Sequence, residues 1–194
     1  METTQKKLNV FSFILSFLYT MTGVAQTSIE LPAAKVEYDA YEKLVAEVKE
    51  HRKSRLVDAQ TFLKMSRQKK VIILDTRSDA MYASKHVKGA IHLNFSDFTQ
   101  TNLANLIPSP DYTILIYCNN NFDNDEVNFA TKAYVPPAPG PDKKALTLAL
   151  NIPTYINLYG YGYRNVYELN ELVSVFSAAL EFEGTAVYPK TGSR

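Results

Sequence analysis

Residues 114–124 read I-L-I-Y-C-N-N-N-F-D-N. An apolar run of strand character ends in Cys118, the only cysteine among 194 residues, and amides and acids follow it. A cysteine in that place has two readings. It is a small apolar residue closing a core strand, or it is a thiol at a strand end, where a loop leading to a helix turns backbone N–H groups toward an anionic sulfur. The chain offers little competing chemistry. One cysteine excludes an internal disulfide framework and any multi-cysteine metal site. His51, His86 and His92 lack the spacing of a metalloprotease helix, so no metal is expected.

The elements that must hold Cys118 are visible as alternating patterns. Val71–Leu74, V-I-I-L, closed by Asp75, reads as a strand covered on both faces, and Thr113–Tyr117 reads as another. Leu56–Val57, Ala90–Leu93 and Asn165–Leu169 are further strands. Residues 36–51 place Tyr41, Leu44, Val45 and Val48 on one helical face. Asp58 caps a second helix, a short one starts near Ser78, and short helices fill 95–106 until Pro108 and Pro110. A helix is expected over Ala145–Tyr159, with Pro153 implying a kink or a late start, and a last one over Glu171–Leu180. The stretch Y-V-P-P-A-P-G-P-D, 134–142, has four prolines in nine residues and must be a loop. Strands alternating with helices predict an open parallel α/β sheet, with functional residues at the carboxyl ends of its strands. Cys118 and Asp75 both stand at such ends.

The first 25 residues have a different character. Lys6 and Lys7 precede an apolar stretch from Leu8 to Tyr19, and Gly23 and Ala25 occupy the −3 and −1 positions of a cut. This is the pattern of a secretory signal peptide, and the stretch is short of the roughly 20 apolar residues of a membrane span. The expected product begins at Gln26, is exported to a periplasmic or extracellular space, and is not inserted in a membrane. Cleavage removes two lysines and one glutamate from 21 basic and 20 acidic residues, leaving the signs equal. A neutral chain with scattered basic residues predicts no nucleic-acid partner. Apolar content of 46% and charged content of 21% are those of a globular protein. The expected division is a leader at 1–25, a helical extension at 26–55, a main domain at 56–180 and a loosely held tail at 181–194.

Five pieces taken in order resemble the rhodanese family: L-V-D-A-Q-T-F-L-K, V-I-I-L-D-T-R, Y-A-S-K-H-V-K-G-A-I-H-L-N, I-L-I-Y-C and G-Y-R-N-V-Y-E-L. They span about residues 56–175. The resemblance implies a five-stranded parallel sheet flanked by helices. It implies that Cys118 is the nucleophile that takes a sulfane sulfur from a small donor, becomes a persulfide, and passes the sulfur to cyanide or a thiol, with no cofactor. Asn119, Asn120, Asn121, Phe122, Asp123 and Asn124 then form the substrate-binding loop, while Asp75, Arg77 and His86 give structural support.

The same stretch departs from the family pattern. The family loop often contains glycine and an arginine or other cation to meet the anionic donor. Here no glycine follows Cys118 before the proline-rich stretch, and no cation occurs before Lys132. Phosphatase or arsenate-reductase chemistry would need an arginine where Asn124 stands. Asp123 and Asp125, if turned inward, would raise the thiol pKa and repel a dianion. The segment 129–150 is also longer than the usual passage to the next helix. Thiosulfate activity is therefore expected to be weak. The alternative is a non-catalytic rhodanese-like module that binds a partner or ligand through its remodelled loop.

Overall fold

The computed structural model describes residues 31–134 and 146–187. The expectations for the leader at 1–25, for most of the proline-rich stretch 134–142 and for residues 188–194 lie outside these described residues. By contact the chain divides into residues 1–36 and 37–194. In the first unit, residues 31–36 form neither helix nor strand. All elements named below belong to the second.

Local signals start each element. Helix α1, Tyr38–Arg52, carries Lys49, His51 and Arg52 in its last turn, where cations suit the helix dipole. Strand β1, Leu56–Val57, leads to Asp58, whose carboxylate accepts the Thr61 N–H at 2.6 Å and caps α2, Ala59–Ser66. Strand β2, Val71–Asp75, is followed by α3, Asp79–Ser84, capped by Ser78. Strand β3, Ala90–His92, precedes α4, Gln100–Leu106, capped by Thr99. Strand β4, Thr113–Ile116, then α5, Asn151–Gly160, and strand β5, Val166–Leu169, complete the set.

The five strands form one sheet in the order β1-β5-β4-β2-β3, every pair parallel. This is the expected α/β architecture. Alternation along the central strands divides the core. Leu74, Ile114, Ile116 and Val166 pack with Val48 of α1, Leu103 of α4 and Tyr155 and Leu158 of α5. Ile73, Leu115, Tyr117 and Leu169 pack with Phe62 of α2 and with Val87, Phe122 and Phe129. Among the described residues no helix is long and apolar enough to cross a membrane.

Three expectations need correction. The helix expected over 145–159 starts only at Asn151, because Pro153 lies in its first turn, where the missing N–H breaks no helical bond. Ahead of it, Leu146–Thr147 pairs antiparallel with Ala133–Tyr134.

No helix forms over 171–180. Val173–Ser174 pairs in parallel with Phe122–Asp123, and Val173 is buried while Leu172 and Phe176 are exposed. Tertiary pairing of a β-branched residue overrides a modest helical propensity there.

The tail is held as far as Val187. Phe182–Glu183 pairs antiparallel with His86–Val87, and Phe182 packs on Phe122 and Phe129 with centroids 5.2 and 5.6 Å apart. Gly184, at φ 130°, lies so close to Ser84 that a Cβ would strike its carbonyl oxygen.

Candidate active site around Cys118

Strand β4 delivers Tyr117 and Cys118 to the carboxyl end of the sheet, each 1% exposed. Cys118 opens a single 3-10 turn, Asn119–Asn121. Its N–H donates to Asn121 Oδ1 at 2.9 Å, and the Asn121 N–H donates back to the Cys118 carbonyl at 3.1 Å. Asn121 Nδ2 donates to the Leu169 carbonyl at 2.7 Å, and Asn121 Oδ1 also accepts from Asn151 Nδ2 at 3.0 Å. One buried amide thus ties the cysteine turn to the end of β5 and to the start of α5.

The sulfur itself faces backbone. The Leu150 N–H, immediately before α5, donates to Cys118 Sγ at 3.2 Å. Burial pushes the thiol pKa up, and the amides of Leu150, Asn120, Asn119 and Asn151 pull it back in that order without cancelling the rise. The neutral thiol is therefore the dominant form near neutral pH. Sulfur at a strand end beneath a helix N-terminus is the arrangement the sequence suggested, but the helix arrives by an indirect route. Residues 119–150 separate the two, and nothing in the loop sequence announces that Leu150 returns to Cys118.

Beside the sulfur lies an open cleft of about 560 Å³. Cys118, Asn119 and Leu150 line it with Arg77 and Met81, and the segment after the cysteine turn adds Val127, Ala130, Lys132 and Leu148. Lys132 was noted in the sequence as the first cation after Cys118, whereas Val127, Ala130 and Leu148 were not singled out, because no motif marks them.

A family comparison fits this geometry. The family model of the Rhodanese-like domain matches residues 58–179. The chain belongs to the rhodanese-like family. No curated protein matches it. Among solved structures it is similar to the BH2092 protein from Bacillus halodurans, at 19% identity and a TM-score of 0.41, covering 76% of this chain and 86% of that one.

In this rhodanese-like domain Asp75 and Arg77 form a buried pair, Nη2 to Oδ2 at 2.7 Å. Arg77 also donates to the Asn119 side chain at 3.3 Å, to the Asn128 carbonyl at 3.0 Å and to the Lys85 carbonyl at 2.6 Å. Its guanidinium binds three loops together and its charge is already met by a carboxylate. Tyr117 donates to Asp75 Oδ2 at 2.5 Å and accepts the Val87 N–H at 3.1 Å. His86 bonds the Tyr82 carbonyl at 2.6 Å and Glu183 at 3.2 Å.

The loop residues divide. Asn119 lines the cleft, and Asn120 accepts the Lys132 N–H at 2.7 Å. Phe122 packs into the aromatic cluster with Tyr117 and Phe129. Asp123 and Asn124 bond to each other, and Asn124, at φ 65°, also donates to Ser174. Asp125 pairs with Lys85 at 2.7 Å and accepts from Asn128. Neither acid lines the cleft, so the conditional concern about inward carboxylates falls away. The side-chain amide of Asn121 is spent on carbonyls away from the sulfur, and backbone N–H groups hold Sγ instead.

Proposed function

We propose that this chain is an exported rhodanese-like sulfurtransferase that carries sulfane sulfur as a persulfide of Cys118. The observation that carries the reading is the Leu150 N–H on Cys118 Sγ, at 3.2 Å, beside an open cleft. In the first half-reaction the Cys118 thiol loses its proton to solvent. The thiolate attacks the outer sulfur of the donor, whose S–S bond breaks with the electron pair on the departing group. In the second, a thiol or cyanide attacks the outer sulfur of the persulfide, and the pair returns to Cys118 Sγ. Each stage places charge on a sulfur near N–H groups that are fixed before reaction. Burial raises the pKa of the free thiol, which lowers its thiolate fraction in the first half-reaction and makes Cys118 a poorer leaving group in the second.

Mass spectrometry tests the assignment. Exposure to a persulfide donor is expected to add about 32 Da, one sulfur atom, at Cys118. Cyanide should then restore the original mass, and Cys118→Ser should abolish both steps.

A second reading has support in the 1% exposure of Cys118. A thiol that shielded suits a domain that binds a ligand without turnover. That reading expects Cys118 to resist small alkylating agents in the folded protein and to gain no sulfur. Export rests on residues 1–25 and is tested separately: N-terminal analysis of secreted material should find Gln26, and an intact Met1 would overturn cleavage.

A further inference from the structure

We infer that the sulfur donor is an organic hydropersulfide with an apolar body rather than an inorganic dianion such as thiosulfate; this rests on the sulfur-transfer reading above. The cleft beside Cys118 supplies the argument. Its volume of about 560 Å³ falls within the roughly 300–1,000 Å³ of small-molecule sites, far more room than a single oxyanion fills. Met81, Val127, Ala130, Leu148 and Leu150 are half of its ten lining residues, and the lining surface is predominantly apolar.

The charges point the same way. A doubly charged donor leaving water for this cleft needs cations that are not already neutralised. Arg77 is bound to Asp75, with side-chain exposures of 3% and 0%, and its remaining N–H groups go to loop acceptors. That leaves Lys132, exposed on the lining and without an acidic partner among the described residues. One exposed ammonium suits at most a single negative charge on the donor.

The step balances without an added oxidant. Cys118–SH reacts with R–S–SH to give Cys118–S–SH and R–SH. The donor's S–S bond breaks, the Cys118 Sγ–S bond forms, and the proton released by Cys118 is replaced on the departing thiolate from solvent. The apolar group R lies along Met81, Val127 and Leu148 while its outer sulfur meets Sγ.

Three donors separate the possibilities: benzyl hydropersulfide, cysteine hydropersulfide and thiosulfate. Sulfur addition to Cys118 is timed by intact mass, and each rate is divided by the rate with a small free thiol under the same conditions. The normalised benzyl rate is expected to exceed the cysteine hydropersulfide rate about tenfold, as apolar complementarity allows, with thiosulfate slowest. Leu148 and Val127 are 62% and 83% exposed, so charges there leave the fold intact. Leu148→Lys and Val127→Lys should each reduce the benzyl advantage severalfold and raise the thiosulfate rate. Equal normalised rates for the three donors would overturn the donor class while leaving sulfur transfer standing. An undiminished benzyl preference in both variants would overturn the assignment to this cleft. No mass gain with any donor would overturn sulfur transfer and the donor class together.

Discussion

The Leu150 N–H donates to Cys118 Sγ at 3.2 Å across 32 positions of sequence. The sulfur's helix terminus is thus delivered by the fold, through the Asn121 tie to Asn151, and not by the loop that follows the cysteine. Leu150 sits at φ −72°, a value proline adopts without strain. Leu150→Pro therefore removes this donor at a φ that proline accepts. A hydrogen bond to a charged group contributes about 1.5–3 kcal/mol, so alkylation of Cys118 at fixed pH should slow by about tenfold or more. Iodoacetamide kinetics monitored by mass would settle it, and a rate within a factor of about two of the parent would show that this amide does not stabilise the thiolate.

Burial raises the Cys118 pKa, and two pH dependences of opposite sign follow. Reactivity depends on the thiolate, so the alkylation rate should keep rising with pH beyond the range where an exposed cysteine levels off. Stability runs the other way. The folded state holds the thiol proton more tightly than the unfolded chain, so this contribution is complete below the ordinary cysteine pKa and declines as pH climbs toward the folded value. Urea midpoints of the parent and of Cys118→Ser, compared between neutral and alkaline pH, should differ in slope in that direction. Parallel slopes would contradict the raised pKa.

Asp75 and Arg77 should dominate the stability of the site region. Asp75→Ala leaves a guanidinium buried without its carboxylate and is expected to cost about 3–5 kcal/mol. Tyr117→Phe removes one donor to Asp75 and the acceptor of the Val87 N–H, at a cost of about 1–2 kcal/mol. Urea denaturation of both variants checks the order, and a Tyr117→Phe cost equal to that of Asp75→Ala would show that the ion pair is not the stronger element.

Phe182 offers a test of the docked tail. Its ring packs on Phe122 and Phe129, and its backbone pairs with Val87. Phe182→Ala should destabilise the protein by about 2 kcal/mol, less than a fully buried phenylalanine because the residue is only partly buried. A urea midpoint indistinguishable from the parent's would mean that residues 181–187 contribute nothing to the domain.

Much of the framework was legible because its signals are local. The V-I-I-L and T-I-L-I runs and the caps Asp58 and Ser78 act within a few residues. The segment 171–187 was misread because its partners are remote: Val173 pairs with Phe122 and Phe182 with Val87, contacts that no window of the sequence contains. The candidate site shows the same division. Cys118 was visible from its place after the strand, and the supporting roles of Asp75 and Arg77 from the family resemblance. The roles of Asn121 and Leu150 were hidden, because an asparagine serving as a tie and a leucine serving through its amide look ordinary in sequence.

Sheet order also bears on how the chain acquires its shape as it is made. Among the described residues strand β1 pairs only with β5, at Leu56↔Glu168 and Val57↔Leu169. A polypeptide emerging amino end first therefore cannot seat its first strand until residue 169 is available, and the Cys118–Leu150 contact waits almost as long. Contacts so distant along the chain make for slow acquisition of the native state. Such a delay is compatible with the export proposed above, in which the chain would cross a membrane before it folds.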